Sequence, residues 1–118
     1  MSYDVDLINE STNEPFQLDE QHGFKGGTYA VGGSNETRLN ITYNYAPQFK
    51  KVLGFDGIRT LIGMNGGDSV GLLEDAINNL NDDVDDDYWK ATEGNARKSL
   101  EQLMVFAKSK PEGVWMIY

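Results

Sequence analysis

Apolar and polar residues alternate most regularly along residues 36–49, ETRLNITYNYAPQF. Leu39, Ile41, Tyr43 and Tyr45 fall on one side of an extended chain, with Thr37, Asn40, Thr42 and Asn44 on or near the other. A repeat of two is the mark of a strand with one buried face. Ala46 and Pro47 end it, because proline lacks the amide a ladder needs and suits the first turn of a helix. The preceding TYAV, residues 28–31, is bracketed by Gly26, Gly27, Gly32 and Gly33 and is expected to pair with it as an antiparallel neighbour. Upstream, Tyr3, Val5 and Leu7 alternate with Asp4 and Asp6. This predicts an edge strand whose aspartates face water and discourage further pairing. Residues 9–15 read as a polar turn and 16–18 as a short return strand, together a loose hairpin. Residues 21–27 form a glycine-rich connection that holds the one histidine, His22.

After Pro47 the period changes. Residues 46–53 predict a short helix with Phe49, Val52 and Leu53 inward and Lys50 and Lys51 outward, closed by Gly54 just past its end. Residues 57–64, GIRTLIGM, are apolar and brief, and fit either a helical turn or a buried connection. A second helix is expected to be capped by Asp68 or Ser69. Its apolar stripe is Val70, Leu73, Ile77 and Leu80, while Asp68, Asp75 and Asp82 share a line on the opposite side. The aspartates of residues 82–87 end it, since they repel one another and oppose the helix dipole. A third helix begins after the cap Thr92 and runs to about residue 109. Ala96, Leu100, Leu103 and Ala107 form its inner stripe, and Arg97 can pair with Glu101 one turn on. Pro111 and Gly113 stop it, and residues 114–118 either add a last strand to the sheet or cover its edge. The predicted architecture is α+β: a small antiparallel sheet from the N-terminal half, packed by two longer helices from the C-terminal half.

The 118 residues suit one domain, residues 1–118, of a size that buries roughly two-thirds of its unfolded surface. Absence of cysteine removes disulfides, thiolate metal sites and a cysteine nucleophile from consideration and fits a reducing compartment. No apolar run approaches the roughly 20 residues of a membrane span, and the acidic start does not read as a signal peptide. A soluble intracellular protein is the expectation.

Charge changes the picture more. The net formal charge of −9 argues against direct binding to nucleic acid or an anionic membrane. Between Thr60 and Trp89 there are eight acids and no base. They include Asp68, Asp75, Asp82, Asp83, Asp85, Asp86 and Asp87, the candidate residues for docking a basic partner. Spacing argues against a calcium loop. Starting at Asp83 places Asp85 and Asp87 well, but Tyr88 stands where the turning glycine is required and Gly94 where the closing glutamate belongs. No metal and no cofactor are expected.

Other chemistry is sparse. No phosphate-loop pattern follows His22, and no serine has a visible base partner. The GMNGGD stretch, residues 63–68, ends at a helix N-terminus. With Arg38 and Arg59, Gly66 and Gly67 form the alternative candidate, an anion or nucleotide site. Helix capping explains the same residues.

Several segments together, GGTYAVGG, LNITYNYAPQF, GIR, DDYWKATEGNA and PEGVW, resemble the family of small uncharacterised proteins encoded by tailed bacteriophages and prophages. The likeness spans residues 26–115. It implies a context, a phage-encoded protein made in the host cytoplasm, and no catalytic residues. The expected function is therefore a non-enzymatic accessory protein that offers its acidic face to a host protein with a basic surface. Inhibition of a host defence protein by nucleic-acid mimicry is its sharpest form. The alternative is a small-ligand binder that sequesters a nucleotide defence signal. A homo-oligomer is compatible with either.

Overall fold

A computed structural model of the chain describes residues 2–19 and 35–118. The elements, in order, are β1 (Ser2–Asn9), β2 (Glu14–Pro15), β3 (Arg38–Thr42), a 3-10 turn (Tyr43–Tyr45), α1 (Ala46–Leu53), a second 3-10 turn (Gly57–Leu61), α2 (Gly66–Asn78), α3 (Glu93–Ser109) and β4 (Val114–Ile117). The fold is α+β, with helices packed on one side of an antiparallel sheet. The TYAV strand and His22 lie outside the described residues.

The expected edge strand is the centre of the sheet. Val5 pairs with Leu39 of β3 along one side of β1 and with Ile117 of β4 along the other. Tyr3, Val5 and Leu7 point to the helices and are buried there with Leu39, Ile41, Trp115 and Ile117. Asp6 does not face water. It is buried, and its carboxylate accepts two hydrogen bonds from the Arg38 guanidinium, at 3.1 and 3.3 Å. A central strand requires its charges to be paired, because desolvating a lone carboxylate costs several kcal/mol. Asp4 alone of the two stays exposed.

The regular alternation of residues 36–49 carries a strand only to Thr42. The Thr42 hydroxyl accepts from the Asn44 amide and turns the chain into a 3-10 helix. Tyr45 thereby swings into the core, fully buried, while Tyr43 is half-buried. The polar positions are not a free face either: Thr37, Asn40 and Thr42 are buried. Thr37 donates to the Leu7 carbonyl at 2.7 Å and accepts from the Phe16 amide at 2.9 Å, so its hydroxyl ties β1 to the chain after β2. The return strand is Glu14–Pro15, followed by a single bridge between Gln17 and Glu36.

Residues 57–61 are the helical turn of the two alternatives, and residues 114–117 form a strand that joins the sheet. Helix α2 starts three or four residues earlier than expected. Ser69 is not its cap but a buried residue of its first turns, and Asn65 stands at the cap position. The helix ends at Asn78, so Asp82 leaves the line of Asp68 and Asp75. Close packing explains the early start. A Cβ on Gly66 would lie 2.9 Å from the Lys110 carbonyl oxygen, so only glycine lets the start of α2 meet the end of α3. Helices α2 and α3 pack against each other through Leu73, Ala76, Ile77, Leu100, Leu103 and Ala107, one continuous core with the sheet. Among the described residues no helix is long and apolar enough to cross a membrane.

Candidate functional site

The acidic residues divide by position. Asp68 and Asp75 are exposed on α2. Asp82, Asp83, Asp85, Asp86 and Asp87 occupy the connection between α2 and α3, and that connection is fastened at both ends and in the middle.

Asn95 does most of the fastening. It sits buried in the first turn of α3, where its Oδ1 accepts from the Asp85 amide at 2.9 Å. Its Nδ2 donates to the Asp87 and Lys90 carbonyls at 3.1 and 3.0 Å. One amide side chain thus satisfies three backbone groups of the acidic loop. Two side chains cap the same helix: Thr92 accepts from the Asn95 amide at 3.0 Å, and Asp83 accepts from the Gly94 amide at 3.1 Å. Both satisfy donors that the helix leaves free, and the Asp83 charge lies in the positive field of the N-terminus. The loop approaches so closely that a Cβ on Gly94 would lie 2.6 Å from backbone atoms of Asp83 and Val84.

The aromatic pair after the aspartates anchors the loop to the sheet. The Tyr88 hydroxyl accepts from the Thr42 amide at 2.8 Å, at the outer edge of β3. A phenol thus pairs a strand amide that has no other partner among the described residues. The Tyr45 hydroxyl donates to the Tyr88 carbonyl, and the two rings meet edge to face at 5.5 Å. Burial, then the nearby Tyr88 and the Asp87 charge, raise the Tyr45 pKa well above the usual phenol range. Lys51 closes the far end by an ion pair with Glu93 at 2.8 Å. The Lys51 hydrogen bond first, and the Asn81 amide second, hold the Glu93 carboxyl below the usual range.

The acids therefore have different roles. Asp85 and Asp87 accept from the amides two residues ahead, at 2.8 and 3.0 Å, and Asp85 also faces Lys90 at 3.5 Å. Asp83 is a cap. Asp68, Asp75, Asp82 and Asp86 are exposed and their carboxylates have no hydrogen bond or ion pair with a described residue. These four are the charges the surface offers outward.

Beside the loop lies a cleft of about 630 Å³ between residues 84–88 and α3. Tyr45, Tyr88 and Asn95 line it from the loop and core side, and Val84 and Val105 line it as half-exposed apolar residues. Asp85, Asp86, Lys98 and Glu101 bring the charges. None of Val84, Lys98, Glu101 and Val105 is among the sequence-predicted site residues. Two signals were present: a valine inside an aspartate run, and an asparagine, poor in helix interiors, in the first turn of α3.

The alternative set is not brought together. The Gly66 and Gly67 amides already donate to the Gly113 and Pro111 carbonyls, at 2.8 and 3.0 Å, and so are not free to cradle an anion. Arg38 is spent on Asp6. Arg59 lies over the Tyr3 ring at 4.9 Å from its centre and at 5.9 Å from that of Tyr43. Tyr3 and Asp6 point to opposite faces of β1, which puts the two guanidinium groups on opposite sides of the sheet. Among the described residues no group of three acidic or histidine side chains is placed to hold a metal ion.

Comparison with models of known families, with curated proteins and with solved structures finds no match to this chain.

Proposed function

We propose that the protein is a non-enzymatic interaction protein whose acidic loop and the adjoining face of α2 dock on the basic surface of another protein. The observation that carries this reading is the fastening of residues 83–90 to the start of α3 by the Asn95 side chain and by the Asp83 cap on the Gly94 amide. It gathers four aspartates, Asp83, Asp85, Asp86 and Asp87, on one loop and holds its backbone in place before any partner arrives. A set of like charges fixed in place repels itself, which costs stability, and a positive partner relieves that cost. Pre-ordering also removes part of the entropy that binding would otherwise cost. Trp89, half-exposed beside the aspartates, adds the kind of aromatic that anchors protein interfaces.

A basic groove of this kind is typical of nucleic-acid-binding enzymes, so mimicry of a nucleic acid is the specific form of the proposal. The resemblance of its sequence segments to small phage proteins suggests its setting, inhibition of a host defence protein inside the infected cell. Sequestration of a nucleotide signal is the weaker reading, because Gly66, Gly67 and Arg38 are already engaged within the fold.

The test is capture from bacterial lysate on the immobilised protein at about 50 and 500 mM salt, where the Debye length falls from roughly 14 to 4 Å. A basic nucleic-acid-binding protein should be retained at low salt, displaced by duplex DNA and lost at high salt. Asp75→Asn, Asp82→Asn and Asp86→Asn together should abolish capture without loss of fold, since none of these carboxylates has a partner among the described residues. Asp83 is left intact because it caps α3. Retention by the triple variant at full strength would refute the acidic-face reading.

A further inference from the structure

We propose that the cleft beside the acidic loop is the seat of an arginine-bearing segment of the partner, so that one guanidinium enters between Asp86 and Glu101. This rests on the acidic-face reading and adds to it a defined point of contact.

Val84 and Val105 are each about half exposed, at 49 and 50 %, on facing sides of a concave surface rather than scattered over a convex one. Concave apolar walls with a few charges at the rim are the usual form of a binding site, and about 630 Å³ lies within the range of roughly 300–1,000 Å³ such sites occupy. The charges are unequal. Asp85, Asp86 and Glu101 face the cleft against the single Lys98. Asp85 is partly neutralised by Lys90, whereas Asp86 has no partner among the described residues. Glu101 already receives one guanidinium, that of Arg97 at 3.1 Å, with one carboxylate oxygen.

A ligand for this place needs a positive charge for the rim and apolar surface for the valine walls. Arginine supplies both. Its guanidinium is weakly hydrated, its faces are apolar enough to lie against Val84 or the Tyr88 ring, and its planar edge matches carboxylates two bonds at a time. Lysine offers a compact, strongly hydrated charge that gains less from apolar walls. The volume exceeds one side chain, which leaves room for an apolar neighbour of the arginine against Val105.

The probe is a capped arginine–leucine dipeptide, compared with its citrulline and lysine counterparts, titrated into the full-length 15N-labelled protein. The arginine peptide should shift the amides of Val84, Asp86, Lys98, Glu101 and Val105 in a saturable way. The citrulline peptide, equal in shape but uncharged, should bind at least about tenfold more weakly, the loss of one charge-assisted pair. Glu101→Gln and Val105→Ala should each weaken the arginine peptide, and Asp75→Asn on α2 should not. Equal binding of the citrulline peptide, or shifts that never saturate and extend to Asp68 and Asp75, would overturn the cleft as the seat. Equal binding of the lysine peptide would overturn the choice of arginine. The two proposals fail separately. If Val105→Ala leaves partner capture untouched while the Asp75, Asp82 and Asp86 variant loses it, the acidic face stands and the cleft falls.

Discussion

Trp115 of β4 donates its indole N–H to the Ser69 hydroxyl of α2 at 2.8 Å, and both residues are fully buried. Ser69 passes the bond on to the Gly66 carbonyl at 2.7 Å, so one hydroxyl joins the last strand to the start of a helix. The indole has no water to turn to if that hydroxyl is removed.

Ser69→Ala should therefore destabilise the protein by about 1–3 kcal/mol, the cost of one buried donor without a partner. Ser69→Thr keeps a hydroxyl but adds a methyl in a packed site, and should lose stability through crowding instead. Urea unfolding followed by tryptophan fluorescence gives both values. An Ser69→Ala protein as stable as the parent would show that the indole bond contributes nothing.

Gly94 carries the close approach of the acidic loop to α3. Gly94→Ala places a methyl 2.6 Å from backbone carbon and nitrogen, which no side-chain rotation can relieve, so the loop or the helix must move. The expected loss is about 1–3 kcal/mol or more, the usual range for overpacking, despite the higher helix propensity of alanine. Thermal unfolding decides the sign. A rise in melting temperature would mean that the loop is free to lift away from the helix.

Much of the helical half was legible because its signals are local. Phe49 and Leu53 in α1, and Ala96, Leu100, Leu103 and Ala107 in α3, bury where their 3.6-residue spacing puts them, and the Thr92 cap is in place. Sheet order is not a local property. Alternation assigns Tyr3, Val5 and Leu7 to a buried face, but it does not say how many neighbours the strand has. Only the pairing of Val5 with both Leu39 and Ile117 makes β1 central and obliges Asp6 to find Arg38. The run of tyrosines misled for a related reason, since a two-residue alternation persists on paper after the Thr42 hydroxyl has ended the strand. At the candidate site, the charge was visible in the sequence. The cleft was not, because it exists only once Asn95 holds residues 85–90 against α3.

Alkaline pH should weaken the fold through Tyr45. Burial raises its pKa above the value of about 10 that it has when unfolded. The folded state thus holds its proton longer than the unfolded state does, and the sign follows. The contribution is complete below about pH 10 and is lost as pH rises from the unfolded value toward the folded one. Tyr45→Phe loses the hydrogen bond to the Tyr88 carbonyl and should be about 1 kcal/mol less stable at neutral pH. The gap should narrow above pH 10, as only the parent loses stability by ionising this hydroxyl. Tyr3, also raised by burial, leaves a residual alkaline dependence in the variant. A gap that widens with pH would contradict the assignment.

Asn95 connects stability to docking. Asn95→Ala removes the partner of the Asp85 amide and one of the two partners of each of the Asp87 and Lys90 carbonyls, which keep the Lys90 and Thr92 amides. These groups lie in a largely exposed loop, so water replaces much of what is lost and the protein should stay folded, weaker by about 1–3 kcal/mol. The loop itself should loosen, and hydrogen exchange at the Asp85 amide should speed up while exchange in α2 changes only as far as global stability does. Re-ordering even one loop residue on binding costs about 1–2 kcal/mol, so capture of a basic partner should weaken about tenfold with every aspartate still present. That combination, unchanged charge with weaker capture, separates a shaped acidic surface from a merely acidic one. If Asn95→Ala speeds exchange at Asp85 but leaves capture at parental strength, the charge alone does the binding and the fixed conformation of the loop has no part in it.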